Sequence, residues 1–525
     1  MQNKSLELED KIETCNTVNK TISEDNKTYS DKMRLIVYDM LTAGTPTGNI
    51  SGLIKKIAER LDVKFDSIPQ KSTIEQMARE MGVISDVACA ELIMNTPNCT
   101  IAFDATTQEG VHVNVVSLST PERSSVIALD QLPGGTADDY AAHVTNSIDN
   151  IARSYSEVHN QDFVETRDSL VSNISNCLTD RAIVNHAAVS KINATWDKTL
   201  NELKCHLHPL ESVATGCKNA LKKTQMSKSH LFGNDCHAAQ IILNVDKLRF
   251  KDGKGDPQGF KLFLKKLNLP LGLFPRYRGN RLHILFHNAG IIIQYLEQLK
   301  EYLATTLVRC GNFVSCLLND LSMEEAINQL CVLGLIGKLF SGPWMTKFYA
   351  VANGELTHMG AIDVVKSVLH EITKACANPL GLLSLHTDFF GTDASDPVLK
   401  SIQLLCKRDQ AVCDMIRNCL SATQDVLCRQ YEHYLQMDIT QELIEETDSA
   451  RLHNIDCEQI MGMFSAVKDK APAATLCYIS SKIRAKQNRV VENYLDVMTT
   501  EKRKAIISWA VSAARKKRSE NKKRL

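Results

Sequence analysis

Two aspartates fall where phosphoryl chemistry needs them. Asp104 ends the stretch Thr100-Ile101-Ala102-Phe103-Asp104, ahead of Gly110 and a second apolar run from Val111 to Leu118, while Asp180 closes the short piece Ile174-Ser175-Asn176-Cys177-Leu178-Thr179. A carboxylate on a strand beside a turn is a hard oxygen donor on a stiff support, which suits Mg2+ or Mn2+. Two such ions held by three carboxylates align an attacking water or 3′-hydroxyl with a phosphate and neutralise charge on the attacking and leaving oxygens. Each acid also has an ordinary role open to it, Asp104 as a strand-end turn former and Asp180 as a helix N-cap.

The elements that must position these acids can be read from hydrophobic period. From Met33 to about Ile93 the apolar spacing is helical (Leu53, Ile54, Ile57, Leu61, then Ile74, Met77, Met81), broken by Pro46 and Pro69. The period then becomes two, predicting strands over 100–104, 111–118 and 125–129. Thr136, after the Leu132-Pro133-Gly134-Gly135 loop, is a good N-cap for a helix running to about Tyr155. A strand over 174–180, a helix from about Ala182 to Asn193 and a last strand at Leu203-Lys204-Cys205 follow. Three strands, helix, strand, helix, strand is the order of a ribonuclease-H-like α/β core with a mixed five-stranded sheet, in which the strands bearing Asp104 and Asp180 are neighbours. Beyond about Gly216 the strands stop, and 230–500 is almost wholly helical in pattern, with no fixed repeat that would mark a solenoid.

The expected organisation is therefore a polar segment 1–30, disordered or a coiled-coil remnant, and a helical N-terminal region 31–95. The first part of the α/β core follows over 96–230, an all-helical insertion over 231–445, a helix completing the core over 446–500, and a basic C-terminal tail over 501–525. The chain has 525 residues, enough for several domains, and its 44% hydrophobic and 23% charged residues are those of a globular protein. Lys plus Arg and Asp plus Glu balance at 61 each, so no net charge points to nucleic acid. The distribution does: Arg515-Lys516-Lys517-Arg518 and Lys522-Lys523-Arg524 read as a nuclear-import signal or a phosphate-binding segment, with a solvated helix end as the plain alternative. Seventeen scattered cysteines without a spaced framework fit a reducing compartment. No apolar signal core precedes Ser30 and no run reaches membrane-spanning length, so a location inside the cell and off the membrane is expected.

Four stretches together resemble transposase-derived proteins of the DDE class, most similar to the hAT superfamily. They are Phe103 to Asn114 (FDATTQEGVHVN), Leu132 to Tyr140 (LPGGTADDY), Thr179 to His186 (TDRAIVNH) and Arg278 to His287 (RGNRLHILFH), and the likeness runs in motif order over residues 70–490. The resemblance implies a Mg2+- or Mn2+-dependent transposase, or a catalytically inactive domesticated derivative that binds DNA or protein. It further implies a nuclear location, double-stranded DNA as partner and self-association. Its first two acids match Asp104 and Asp180; the third, a Glu on a helix after the helical insertion, best matches Glu458, with Asp456 as runner-up. It also carries a Cys-x-x-His near the scissile phosphate, matched by Cys205 and His208. Those two residues could instead form half of a zinc site with Cys217, or with Cys236 and His237, but the spacing fits no standard finger and zinc is not expected. The sequence departs from the family in two places. Asn185 follows Asp180 by five residues rather than four, and no zinc finger or other DNA-reading module is recognisable ahead of the core.

Two further groups bear on a nucleic-acid surface. Arg276, Arg278 and Arg281 with Tyr277 sit at one loop-to-helix junction, where they could clamp phosphates and stack a base, or simply cap a solvated helix. Trp344 reads as a core residue, with an inserted wedge as the alternative.

Overall fold

A computed structural model describes residues 28–108, 110–252, 254–277, 279, 281–349 and 355–524. The expected polar segment 1–30 lies almost wholly outside them, and so does Arg278. The chain forms two compact units, Met1–Lys204 with Glu446–Leu525, and Cys205–Glu445. The first boundary thus falls at Lys204, earlier than the expected break after residue 230.

The first unit opens with helices α1 (Asp31–Thr42), α2 (Thr47–Arg60) and α3 (Lys71–Met94), followed by β1 (Cys99–Gln108), β2 (Val111–Ser119), β3 (Ser124–Leu132), α4 (Ala137–His159), α5 (Phe163–Ser172), β4 (Ile174–Thr179), α6 (Ile183–Trp196) and β5 (Asn201–Lys204). The strands make one mixed sheet in the order β3-β2-β1-β4-β5. β1, β2 and β3 run antiparallel in sequence, while β4 pairs parallel with β1 and β5 parallel with β4. Gly110 takes φ +79 at the β1–β2 turn, a left-handed backbone that only glycine adopts without strain. Thr136 caps α4 as its sequence predicts, within a reciprocal box closed by Asp139. The helix α5 was not expected; Asp162, whose Oδ1 accepts from Val164 N and Glu165 N, starts it.

Strand alternation divides the sheet into two faces. Ile101, Phe103, Val116, Leu118 and Cys177 turn into a core filled by Val144, Ile148 and Ile151 of α4, Ile93 of α3 and Ile192 of α6. Burying one such aliphatic or aromatic side chain contributes about 1.5–3 kcal/mol. The opposite face bears Thr100, Ala102, Asp104, Ser117, Asn176 and Leu178, and is the more polar of the two.

The second unit is built of helices joined by loops, with one isolated antiparallel bridge, Thr387 to Asp393, among its described residues: α7 (Pro209–Thr224), α8 (His237–Lys247), α9 (Pro257–Lys266), α10 (Ile284–Gln294), α11 (Leu296–Asp320), α12 (Glu324–Ile336), α13 (Gly342–Phe348), α14 (Gly360–Ala377), α15 (Pro397–Leu405), α16 (Gln410–Gln436) and the short α17 (Gln441–Glu446), which reaches the boundary. A π-helical turn, Gly337–Ser341, joins α12 to α13. Trp344 is fully buried and donates Nε1–H to His206 O at 2.8 Å, with Phe348 and Phe340 against its ring. It is a core residue, and the wedge reading is corrected accordingly.

The first unit closes with α18 (Ile455–Lys470), α19 (Leu476–Gln487) and α20 (Thr500–Arg524). The expected basic tail is instead a helix whose inner side buries Ile506, Ile507, Ala510, Val511 and Ala514, in one core with α1, α2 and α3. Gly82 permits α3 and α19 to touch, since a Cβ there would come 2.7 Å from the Ser481 Cβ. No helix among the described residues is long and apolar enough to cross a membrane.

Candidate active site

β1 runs on to Gln108, so Asp104 lies within the strand, opposite Val115 of β2, and is not a strand-end turn former. The parallel ladder pairs Thr100 with Asn176, Ile101 with Cys177 and Ala102 with Leu178. Two residues farther along each strand stands an acid, Asp104 on one and Asp180 just past the end of the other. Continued at that register, the two acids are level on neighbouring strands, which lie about 4.8 Å apart. Tyr140, at the start of α4, senses both: burial raises its phenol above the usual value, and the Asp104 and Asp180 carboxylates raise it further.

Asp180 is not the N-cap expected of it: α6 is preceded by Ala182 at that position and has no side-chain cap. Asp180 Oδ1 accepts from Ala182 N at 2.9 Å and from the Asn185 side-chain amide, so the spacing of five residues still joins this Asn to the acid. Asp104 Oδ1 accepts from Ala105 N at 2.8 Å.

Glu458 and Asp456 flank Cys457 in the first turn of α18. Cys457 is buried on the polar face of the sheet, with Sγ 3.2 Å from Ser117 Oγ and 3.9 Å from Ala102 O. Burial pushes its thiol well up, and Asp104, Asp456 and Glu458 push it the same way. The fold thus brings α18 over the row next to Asp104, and both candidates for the third acid come with it. Among the described residues, no group of three or more His, Cys, Asp or Glu stands close enough to hold a metal ion. The donor chemistry of Asp104 and Asp180 fits a hard divalent cation, while Glu458 completes no closed ligand set with them.

Sequence reasoning missed two polar neighbours. His112 Nε2 lies 2.9 Å from the Tyr140 hydroxyl, and His112 Nδ1 lies 3.0 Å from Thr107 Oγ1. His112 starts β2 and Tyr140 follows the loop 132–136, so only the sheet's long-range pairing brings them together; no local pattern marks them.

The remaining candidates fall elsewhere. Cys205 and His208 belong to the second unit, where Cys205 is fully buried and its Sγ accepts from Leu207 N at 3.4 Å. Of the zinc alternatives, Cys217 Sγ donates to Cys419 O at 3.7 Å, and His237 Nε2 lies 3.0 Å from Ser227 Oγ. Arg276 stacks its guanidinium 5.0 Å above the Phe250 ring, and Arg281 is exposed. Tyr277 is only 9% exposed, which removes it as a base-stacking platform. Arg515, Lys516 and Arg518 are exposed along α20, whereas Lys517 holds the buried Asp86 at 3.0 Å.

Fold and site define a mixed α/β protein whose sheet-bearing unit is interrupted in sequence by a helical unit, Cys205–Glu445, and which carries an acid pair at the ends of one register on neighbouring parallel strands. No family model and no curated protein matches the chain.

Proposed function

We propose that the first unit is a ribonuclease-H-like core and that the protein is a DDE-type transposase, or a protein derived from one, acting on DNA phosphodiester bonds in the nucleus. The observation that carries this reading is the β1–β4 register, which sets Asp104 level with Asp180. The sheet order and the helix α18, laid on the polar face through Cys457, support it. Asp104 and Asp180 would hold Mg2+ or Mn2+, with Glu458 or Asp456 as third acid. The bound ions would supply charge neutralisation at the phosphate. The chain's own residues hold the acids at fixed height, and Tyr140 with His112 borders them.

A second reading has its own observation. The exposed cations Arg515, Lys516 and Arg518 along α20 suit a catalytically inactive derivative that binds DNA or protein as a self-associating factor. One assay separates the two. Mg2+-dependent nicking or strand transfer on duplex DNA, lost in both Asp104→Ala and Asp180→Ala, supports the enzyme; DNA binding without cleavage by the unaltered chain supports the factor. Neither binding nor cleavage would sink both.

A further inference from the structure

The second unit contains a cavity of about 670 Å3, a size suited to a small organic ligand, between α10, α12, α13 and the segment 388–398. Its floor is apolar, with Phe286, Ile291, Met345, Phe390 and Val398. The backbone around it is unusual in two places. Leu282 takes φ +48 just before α10, a costly conformation for a side chain of that size, and the turn Gly337–Ser341 is π-helical. Together they set His283 and His287, one helical turn apart, at the cavity wall.

The hydrogen bonds of these two rings fix their tautomers. His287 Nε2 lies 3.3 Å from Leu273 O, and a carbonyl only accepts, so Nε2 carries the proton and Nδ1 is a bare acceptor. His283 Nδ1 lies 2.8 Å from Ser341 Oγ. Ser341 is fully buried and has no other acceptor for its hydroxyl among the described residues, so that hydroxyl donates to Nδ1 and the proton of the neutral ring sits on Nε2. Both rings stay neutral near pH 7: burial pushes His283 down to about 3 and lowers His287 as well. Neither His283 Nε2 nor His287 Nδ1 has a protein partner among the described residues, and neither is sealed from solvent. Gly342, at the same wall, leaves the His283 ring edge open, where a Cβ would sit in contact with it, 3.4 Å from Cε1 and 3.7 Å from Nε2.

The cavity thus offers one donor and one acceptor on rings whose centroids are 5.6 Å apart, above an apolar floor. Of the charges that line it, Lys347 is exposed without an ion pair among the described residues, Asp393 Oδ1 accepts from Ser395 N at 2.9 Å, and the others are matched. Lys338 holds Asp396 at 2.6 Å, and Asp388 Oδ1 accepts from Phe390 N at 2.8 Å and Thr392 N at 3.0 Å. We infer that this cavity is a binding site for a neutral, planar heterocycle with a lactam edge, its N–H donating to His287 Nδ1 and its C=O accepting from His283 Nε2–H. The ligand is a free small molecule, because the cation beside the rings, Lys338, is held by Asp396, and Lys347 is a single exposed cation rather than a row that would follow a phosphate strand.

The test uses the full chain with 2-quinolinone and its N-methyl derivative as probes, measured by calorimetry or by 15N-histidine spectra. N-methylation removes the one donor, so the unaltered protein should bind 2-quinolinone at least about tenfold more tightly than the N-methyl compound. His287→Phe should erase that difference, and the spectra should show both rings as Nε2–H tautomers. Equal affinity for the two probes in the unaltered protein, or no binding of either up to about 1 mM, overturns the inference whether or not the variant folds. Displacement of the probe by single-stranded oligothymidylate would assign the lactam to a nucleic-acid strand and overturn the free-ligand reading.

Discussion

Cys457 Sγ lies 3.2 Å from Ser117 Oγ, and this contact between α18 and β2 sets the height of Asp456 and Glu458 above the sheet. A thiol so placed is a small buried hydrophobe, not a nucleophile. Burial and three nearby carboxylates hold it as SH. The thiols of Cys89 and Cys177, pushed up to about 12 by burial, share that fate. Iodoacetamide at pH 8 followed by peptide mass spectrometry should label Cys428 first among the described cysteines and leave Cys457, Cys89 and Cys177 unmodified until the chain unfolds. Early labelling of Cys457 would mean that α18 does not stay on the sheet.

The level placement of Asp104 and Asp180 has a thermodynamic consequence. Two carboxylates on neighbouring strands repel when both are ionised, so Asp104→Asn should raise the melting temperature in EDTA. A divalent ion held by the pair stabilises the unaltered chain by mass action, and the variant should lose that gain. Melting curves with and without 10-fold steps in Mg2+ read both effects. A variant that melts lower in EDTA and still gains from Mg2+ would separate the two acids.

Arg484 ties three elements of the first unit together. It is 6% exposed, pairs with the buried Asp86 of α3, and donates to Ile127 O of β3 at 2.8 Å and to Gly82 O at 2.9 Å. Arg484→Met leaves Asp86 buried with Lys517 alone, and removing one partner of a buried pair costs about 3–5 kcal/mol. Urea unfolding should show that loss, and Asp86→Asn in the same chain should restore part of it. Additive losses from the two substitutions would mean that the pair is not coupled.

Much of this unit was legible because its signals are local. The period-two runs marked β1 to β3, and Thr136 with Asp139 marked the start of α4. The Asp162-x-x-Glu165 spacing that opens α5 is an equally local signal. β1 extends beyond the expected 100–104 because Thr106 and Thr107, more polar than the residues before them, still pair with Val113 and His112. Asp104 therefore changed from a strand-end residue to one inside the strand. The basic C-terminal run hid a helix, since Ile506, Ile507, Ala510 and Ala514 supply its buried stripe while the cations dominate its composition. Register is set by pairing across the sheet, so neither the Tyr140–His112 contact nor the proximity of Cys457 to Ser117 has a counterpart in local sequence.

The lowered pKa of His283 makes the helical unit acid-sensitive. A folded-state value of about 3 against 6.5 unfolded means that between these limits the unfolded chain binds more protons. Stability then rises with pH across that window, is fully present above about 6.5, and is lost as pH falls toward 3, with a slope of at most ~1.4 kcal/mol per pH unit for this group. His287, lowered for the same reason of burial, acts in the same direction. Urea midpoints at pH 7, 6, 5 and 4 should fall more steeply for the unaltered chain than for His283→Gln. Parallel curves would place the acid sensitivity in other groups.

The cations of α20 should divide by what holds them. Arg515 and Arg518 are exposed, Lys516 lies 3.2 Å from Glu157, and Lys517 lies 3.0 Å from Asp86, which is 1% exposed. A cation that reaches a phosphate releases counterions, which adds about 0.9 to the slope of log K against log salt on duplex DNA. If α20 is the DNA-facing helix of the proposed function, Arg515→Ala with Arg518→Ala should lower that slope by about 2 and weaken binding alike for unrelated sequences. Lys517→Ala should leave the slope unchanged and lower stability instead, because its ammonium neutralises a buried carboxylate. Fluorescence anisotropy over a salt series, paired with melting curves, reads both quantities in the same samples. A slope that drops with Lys517→Ala and stays constant without Arg515 and Arg518 would reverse the assignment and turn the inner edge of the helix toward the nucleic acid.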